Sequence, residues 1–122
     1  MLGMKSHSFP FSLKQMIKVG SFVGNINVDP VTGNLWVAGI PMALDMTAHS
    51  QNLSHRSSSQ ILTVKLGKPT SSGIAFPDYK VREVYKNDGQ ELSGATSAIV
   101  YKDRLLVGSA FSNMLYCEIK YY

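Results

Sequence analysis

Of the side chains that most often serve as general base, soft-metal ligand or thiol nucleophile, this chain has few. There are three histidines, His7, His49 and His55, and one cysteine, Cys117. His49 and His55 fall in one polar stretch, HSQNLSHRSSS, residues 49–59. Two histidines are short of a zinc site, which takes three or four protein ligands. They read as solvated loop residues, with a zinc pair as the lesser alternative. Cys117 has no histidine partner in view, so nothing activates it as a nucleophile. As an odd cysteine it is either a free buried thiol or half of a bridge to a cysteine outside this chain. The stretch NINVDPVTGNLWVAG, residues 25–39, places two asparagines on a strand ahead of an Asp-Pro turn. Asn25 either bonds its own turn, as strand-end asparagines do, or offers an oxygen to a metal. Asn27 and Asp29 read as turn residues. Asn52-Leu53-Ser54 is an N-glycosylation sequon in the polar stretch, of consequence if the chain is secreted.

These residues need a scaffold, and the composition supplies a globular one. The chain has 122 residues, 44% of them hydrophobic and 16% charged. That length is one domain or part of one, and the mix excludes a disordered polyelectrolyte. No run of about 18 apolar residues exists, so no helical membrane span is expected. The start, MLGMKSHSFPFSLKQM, has no continuous apolar segment and makes a poor signal peptide. The net charge is +4, but the basic residues are scattered singly. Nucleic-acid binding needs them clustered, so no nucleic-acid partner is expected.

Helix signals are weak and strand signals recur, with alternation, β-branched and aromatic residues, and Gly, Pro, Asn and Asp at the breaks. Strands are expected over Leu13–Val19, Phe22–Val28, Leu35–Ile40, Gln60–Leu66, Tyr79–Lys86, Ser97–Tyr101, Leu105–Ser109 and Asn113–Tyr122. Pro30 and Gly33 suit a turn over 29–34, because one fixes φ and the other tolerates positive φ. A second turn is expected at Asn87-Asp88-Gly89. Residues 49–59 read as a surface loop, and 67–76 as another. Period two puts Leu115, Cys117 and Ile119 on one face of the last strand.

A faint repeat connects NINVDPVTGNLWVAG with SAIVYKDRLLVGSA, each a strand, a turn and a strand ending in small residues. Two such units, of about four strands each, suggest consecutive propeller blades. Two blades cannot close a ring and would leave open edges. The expected domain, residues 1–122, is therefore incomplete on its own.

The segments NINVDPVTGNLWV, YKVREVYKNDGQELSGATSAIVYKDRLLVGSAF and MLYCEI resemble the C-terminal third of the serum paraoxonase/arylesterase family. The resemblance implies an all-β fold: about two blades of a six-bladed β-propeller with calcium in its central tunnel. It implies a secreted parent that hydrolyses aryl esters, lactones and some organophosphates. A lipid or lipoprotein surface would be met through the parent's N-terminal part. Calcium, a hard cation, prefers oxygen ligands. It would polarise the carbonyl or phosphoryl oxygen while a histidine pair activates water.

Carried over residue by residue, the family's calcium-binding Asp-Asn pair falls on Gly24-Asn25. Asn25 matches the asparagine, and Gly24 replaces the carboxylate. A histidine of the family falls on Ile40. Thr96, Ala110 and Phe111 fall on substrate-pocket walls, although Phe111 reads equally as core. Trp36 reads as core. The catalytic histidine pair is not matched by His7, His49 or His55, so no catalytic residue is expected in this stretch. Cys117 falls on a cysteine that the family bridges to an N-terminal one. The alternative reading is a degenerate propeller that binds partners without catalysis, favoured by Gly24 and Ile40. An unrelated gluconolactonase-like propeller is a third, but its terminal strand would not be expected to read LYCE.

Overall fold

The computed structural model describes residues 10–13, 15–67 and 78–120. Among them are two antiparallel sheets and one helix. The first sheet is a four-stranded meander of β1 (Phe22–Val28), β2 (Leu35–Ile40), β3 (Ser59–Leu66) and β4 (Tyr79–Asn87). The second is a three-stranded meander of β5 (Ala95–Tyr101), β6 (Arg104–Ser109) and β7 (Leu115–Glu118). The helix, α1 (Ala43–Gln51), connects β2 to β3.

The two repeat units become the two opening hairpins. In β1–β2 the turn forms as its residues dictate. The Val31 N–H bonds the Asp29 carboxylate at 2.9 Å, and Gly33 takes φ +74° while donating to the Asp29 carbonyl. The Val31 N–H, and then Thr32, hold the Asp29 carboxyl below its ordinary pKa. In β5–β6 the turn is Lys102-Asp103, both at positive φ. That is the mirror-type turn that suits strand twist but favours Asn and Gly.

Alternation sorts the side chains into two cores. Trp36 and Ala38 of β2 and Ile61 of β3 meet Ala95, Ala98, Val100, Leu105 and Val107 of the second sheet, with Leu92 between. The other face of the first sheet buries Val37, Leu62 and Val64 under Ile17, Val19, Leu35 and Tyr79. Trp36 is therefore core, as its type suggested.

Four expectations change. Residues 13–19 are not a strand among the described residues; Ile17 and Val19 pack as irregular chain on the second core. The last strand is only Leu115–Glu118, shorter than 113–122, and 121–122 lie outside the described residues. The second sheet has three strands, not four. The fourth change is at 49–59, which is not simply a surface loop. His49 ends α1 with 2% exposure, and Ser57 and Ser59 are fully buried. Ser59 Oγ donates to the Leu92 carbonyl at 2.6 Å and accepts from Ala95 N at 3.0 Å, and Gly94 N donates to the Ser57 carbonyl at 3.0 Å. The Ser59 hydroxyl is thus fully bonded and can be buried at little cost, whereas the Ser57 hydroxyl is buried without a partner among the described residues; composition alone reveals neither. His7 and most of the expected 67–76 loop lie outside the described residues.

Candidate functional site

The residues singled out above collect at one end of the two sheets. The start of β1 pairs with the end of β2, Phe22 opposite Ile40. The start of β5 pairs with the end of β6, Ala95 opposite Ser109. Gly24, Asn25, Ile40, Thr96, Ala110 and Phe111 therefore share that end. Asp29, Lys102 and Cys117 belong to the opposite one.

At the inner edge β1 lies against β5. The β1–β2 register shifts between Val23 and Ile26, so Gly24 and Asn25 together face one residue of β2. Such a bulge re-aims side chains. Asn25 is exposed and lines a cavity of about 410 Å³ with Ile26, Asn27, Ser97, Ala98 and Ile99. Asn27 is not a turn residue. Its Nδ2 donates to the Ala98 carbonyl at 2.7 Å, tying one sheet to the other. Of the two asparagines, one is free to meet a ligand and the other is committed to the fold.

Gly24 does more than lack a carboxylate. A Cβ at this position would lie 2.5 Å from the Thr96 carbonyl oxygen and 3.1 Å from its carbon. The absent side chain is what lets β1 approach β5 so closely. Calcium takes six to eight oxygens, and this edge offers Asn25 while position 24 has no room for a carboxylate. Among the described residues no three His, Cys, Asp or Glu side chains converge as metal ligands. The residues described here do not by themselves fit a calcium site.

The rim is built by α1 and the chain after β6. Thr96 is half-buried, with its hydroxyl 3.4 Å from the Gly108 carbonyl. Ala110 and Phe111 are exposed, and the Phe111 ring meets the His49 ring edge-on, centroids 6.0 Å apart at 72°. An apolar cleft of about 370 Å³ lies alongside, lined by Phe22, Ile40, Leu44, Met46 and Thr47. Phe111 is thus half-exposed, with its ring edge-on to the buried His49, and lines neither of these cavities. His49 Nδ1 donates to the His55 carbonyl at 2.6 Å. Its other ring nitrogen, Nε2, is buried and without a partner among the described residues. His55 itself faces Asp45, 3.8 Å away. The two histidines thus meet as ring and backbone carbonyl, not as two metal ligands.

Sequence reasoning missed α1 and the role of His49. The helix has no side-chain cap at Met42 and little amphipathic contrast, so the usual start signals are missing. Its Ala, Leu and Met content was the remaining cue.

At the far end, Cys117 of β7 is half-buried against the main core. It lines a groove of about 380 Å³ between the sheets, together with Trp36, Arg82, Tyr85 and Lys120. Burial, and then the charge of Glu91, raise its pKa. A raised pKa keeps the thiol protonated and argues against a nucleophile.

The described residues thus form two antiparallel meanders with an open inner edge and an apolar cleft at one end. The arylesterase family model matches residues 4–119, and the chain belongs to that family. It is 33% identical over 86% of its length to serum paraoxonase/arylesterase 1 of Mus musculus. It is 37% identical over 84% of its length to the Rattus norvegicus protein of that name. Over 88% of its length it is 28% identical to mechanosensory abnormality protein 6 of Caenorhabditis elegans. In each case the chain spans 27% of the relative's own length.

Proposed function

We propose that this chain forms the C-terminal sector, about two blades, of a six-bladed propeller hydrolase acting on aryl esters and lactones. One observation carries the reading: Asn25 and the walls Thr96, Ala110 and Phe111, which lie far apart in sequence, converge at one end of the paired inner strands. The word serum in the relatives' names supports a secreted parent.

In this reading the chain's own residues bind and orient rather than break bonds. Phe111 and Ala110 offer apolar surface to an aryl or lactone ring, and His49 holds Phe111 in place. Ring burial there excludes water from the acyl group on its binding side. Asn25 presents one amide oxygen to the tunnel; the remaining oxygens of any calcium site, and the base that activates water, belong to residues beyond those described. Cys117, a free cysteine on the last strand described, would bridge a cysteine elsewhere in the parent.

The test is phenyl acetate hydrolysis by the full-length protein, with and without a calcium chelator. Chelator-sensitive hydrolysis supports the reading. Phe111→Ala should then lower kcat/KM roughly fivefold, chiefly through KM, since a half-exposed ring contributes about 1 kcal/mol of uniform binding.

A second reading, a non-catalytic binding propeller, is favoured by Gly24. Its close contact with Thr96 leaves no space for the carboxylate that a metal site would use. A complete, folded protein without hydrolysis would support it.

A further inference from the structure

The structure assigns Asn52 as an acceptor for an N-linked oligosaccharide, presented on a turn already shaped for the transfer. Asn52 caps the end of α1 with extended backbone, φ −143° and ψ 106°. Its Oδ1 accepts two hydrogen bonds from Ser54: 3.1 Å from the backbone N–H and 2.7 Å from the hydroxyl. The sequon is therefore folded upon itself, with the hydroxyl that defines it bonded to the carboxamide it serves. Among the described residues Nδ2 donates no hydrogen bond, so the atom that would be glycosylated is the one left free.

The surroundings permit a large substituent. Residues 50–56 are exposed without interruption. Leu53, the middle residue of the sequon, is 63% exposed, so a sugar at 52 displaces no core contact. The turn is also firmly held. Asn52 N donates to the Ala48 carbonyl and His55 N to the Asn52 carbonyl, both at 2.9 Å, and His49 clamps the His55 carbonyl from beneath. A glycan here would stand on a fixed pedestal over the rim, outside the inner edge and the apolar cleft.

The chemistry balances with one co-substrate class, a polyprenyl-pyrophosphate-linked oligosaccharide. Nδ2 forms a C–N bond to the anomeric carbon. The C–O bond to pyrophosphate breaks, its electron pair leaves with the lipid pyrophosphate, and one Nδ2 proton goes to the transferase. Hydrogen bonding to Oδ1 polarises the carboxamide and makes that proton easier to lose.

The proposal depends on the function proposed above only for its secretory route, so the test imposes that route. The full chain is expressed behind a secretory leader in a glycosylating host and recovered from the medium. The Asn52 peptide is released with a glycan-specific amidase in heavy-oxygen water and read by mass spectrometry. The expected result is heavy-oxygen Asp at position 52 in the native chain and in Ser54→Thr, and none in Asn52→Gln or Ser54→Ala. Retention in Ser54→Thr separates loss of the hydroxyl from misfolding. An unmodified Asn52 peptide from the secreted native chain would overturn the proposal, whatever the hydrolase assay shows.

Discussion

The inner edge and the rim close by opposite means. Where β1 meets β5, closure depends on an atom that is missing, the Cβ of Gly24, and on an amide that spans the sheets. Where α1 covers Phe111, closure depends on a side chain that is present, the His49 ring, buried and clamped to the His55 carbonyl. The first contact is between backbones and tolerates no addition. The second is between side chains and tolerates no deletion. A residue read as a lost ligand and a residue read as a solvated loop histidine thus turn out to be the two closures of one end of the fold.

The largest effect is expected at the rim. His49→Ala removes a fully buried ring, its bond to the His55 carbonyl and its edge contact with Phe111. Cavity and lost hydrogen bond together should cost about 2–4 kcal/mol, measured as a fall in the denaturant midpoint of the full chain. The same variant should loosen Phe111, seen as faster proteolysis around residues 50–56. A variant within about 0.5 kcal/mol of the native chain, the range of ordinary surface substitutions, would mean that α1 is not held by His49.

Gly24→Ala probes the other closure by adding where His49→Ala subtracts. The new methyl would meet the Thr96 carbonyl, and the strands must part to admit it. Overpacking of this kind costs about 1–3 kcal/mol. Gly24→Asp should cost at least as much and should not raise calcium retention, measured by equilibrium dialysis of the full-length protein. If Asp at position 24 were tolerated and calcium retention rose, the edge would be a ligand site open to repair rather than a sealed backbone contact.

The difference between the two regions also explains what could be read from the chain. Strands and turns were legible because they are local. Pro30 and Gly33 dictate their turn, alternation sorts Leu62 and Val64 from Ile61, and the two repeats become two hairpins. Asn25 was singled out through resemblance alone, and in the fold it lies on the bulge and lines the cavity. The sheet-to-sheet contacts were not. Nothing near Asn27 in sequence announces the Ala98 carbonyl, 71 positions on. Nothing near Ser59 announces Leu92, and in a polar stretch a buried serine looks like an exposed one. Helix α1 lacked both a cap and a stripe, so its stability comes from what it covers rather than from its own residues.

The β5–β6 turn offers the smallest effect and the control for the other two. Asp103 sits at φ +62°, next to Lys102 at φ +47°. A non-glycine residue in left-handed conformation costs about 1 kcal/mol, less for Asp because its short side chain bonds locally. Asp103→Gly should therefore stabilise the full chain by about 0.5 kcal/mol, the conformational relief being partly offset by greater freedom of the unfolded chain. The turn lies at the end of the sheets away from Gly24 and His49. Its effect should add to those of His49→Ala and Gly24→Ala within the error expected of independent sites. A double variant that departed from additivity by more than about 1 kcal/mol would show the two ends to be energetically coupled through the core of Trp36, Ala98 and Val107. The turn at one end and the closures at the other would then belong to one cooperative unit.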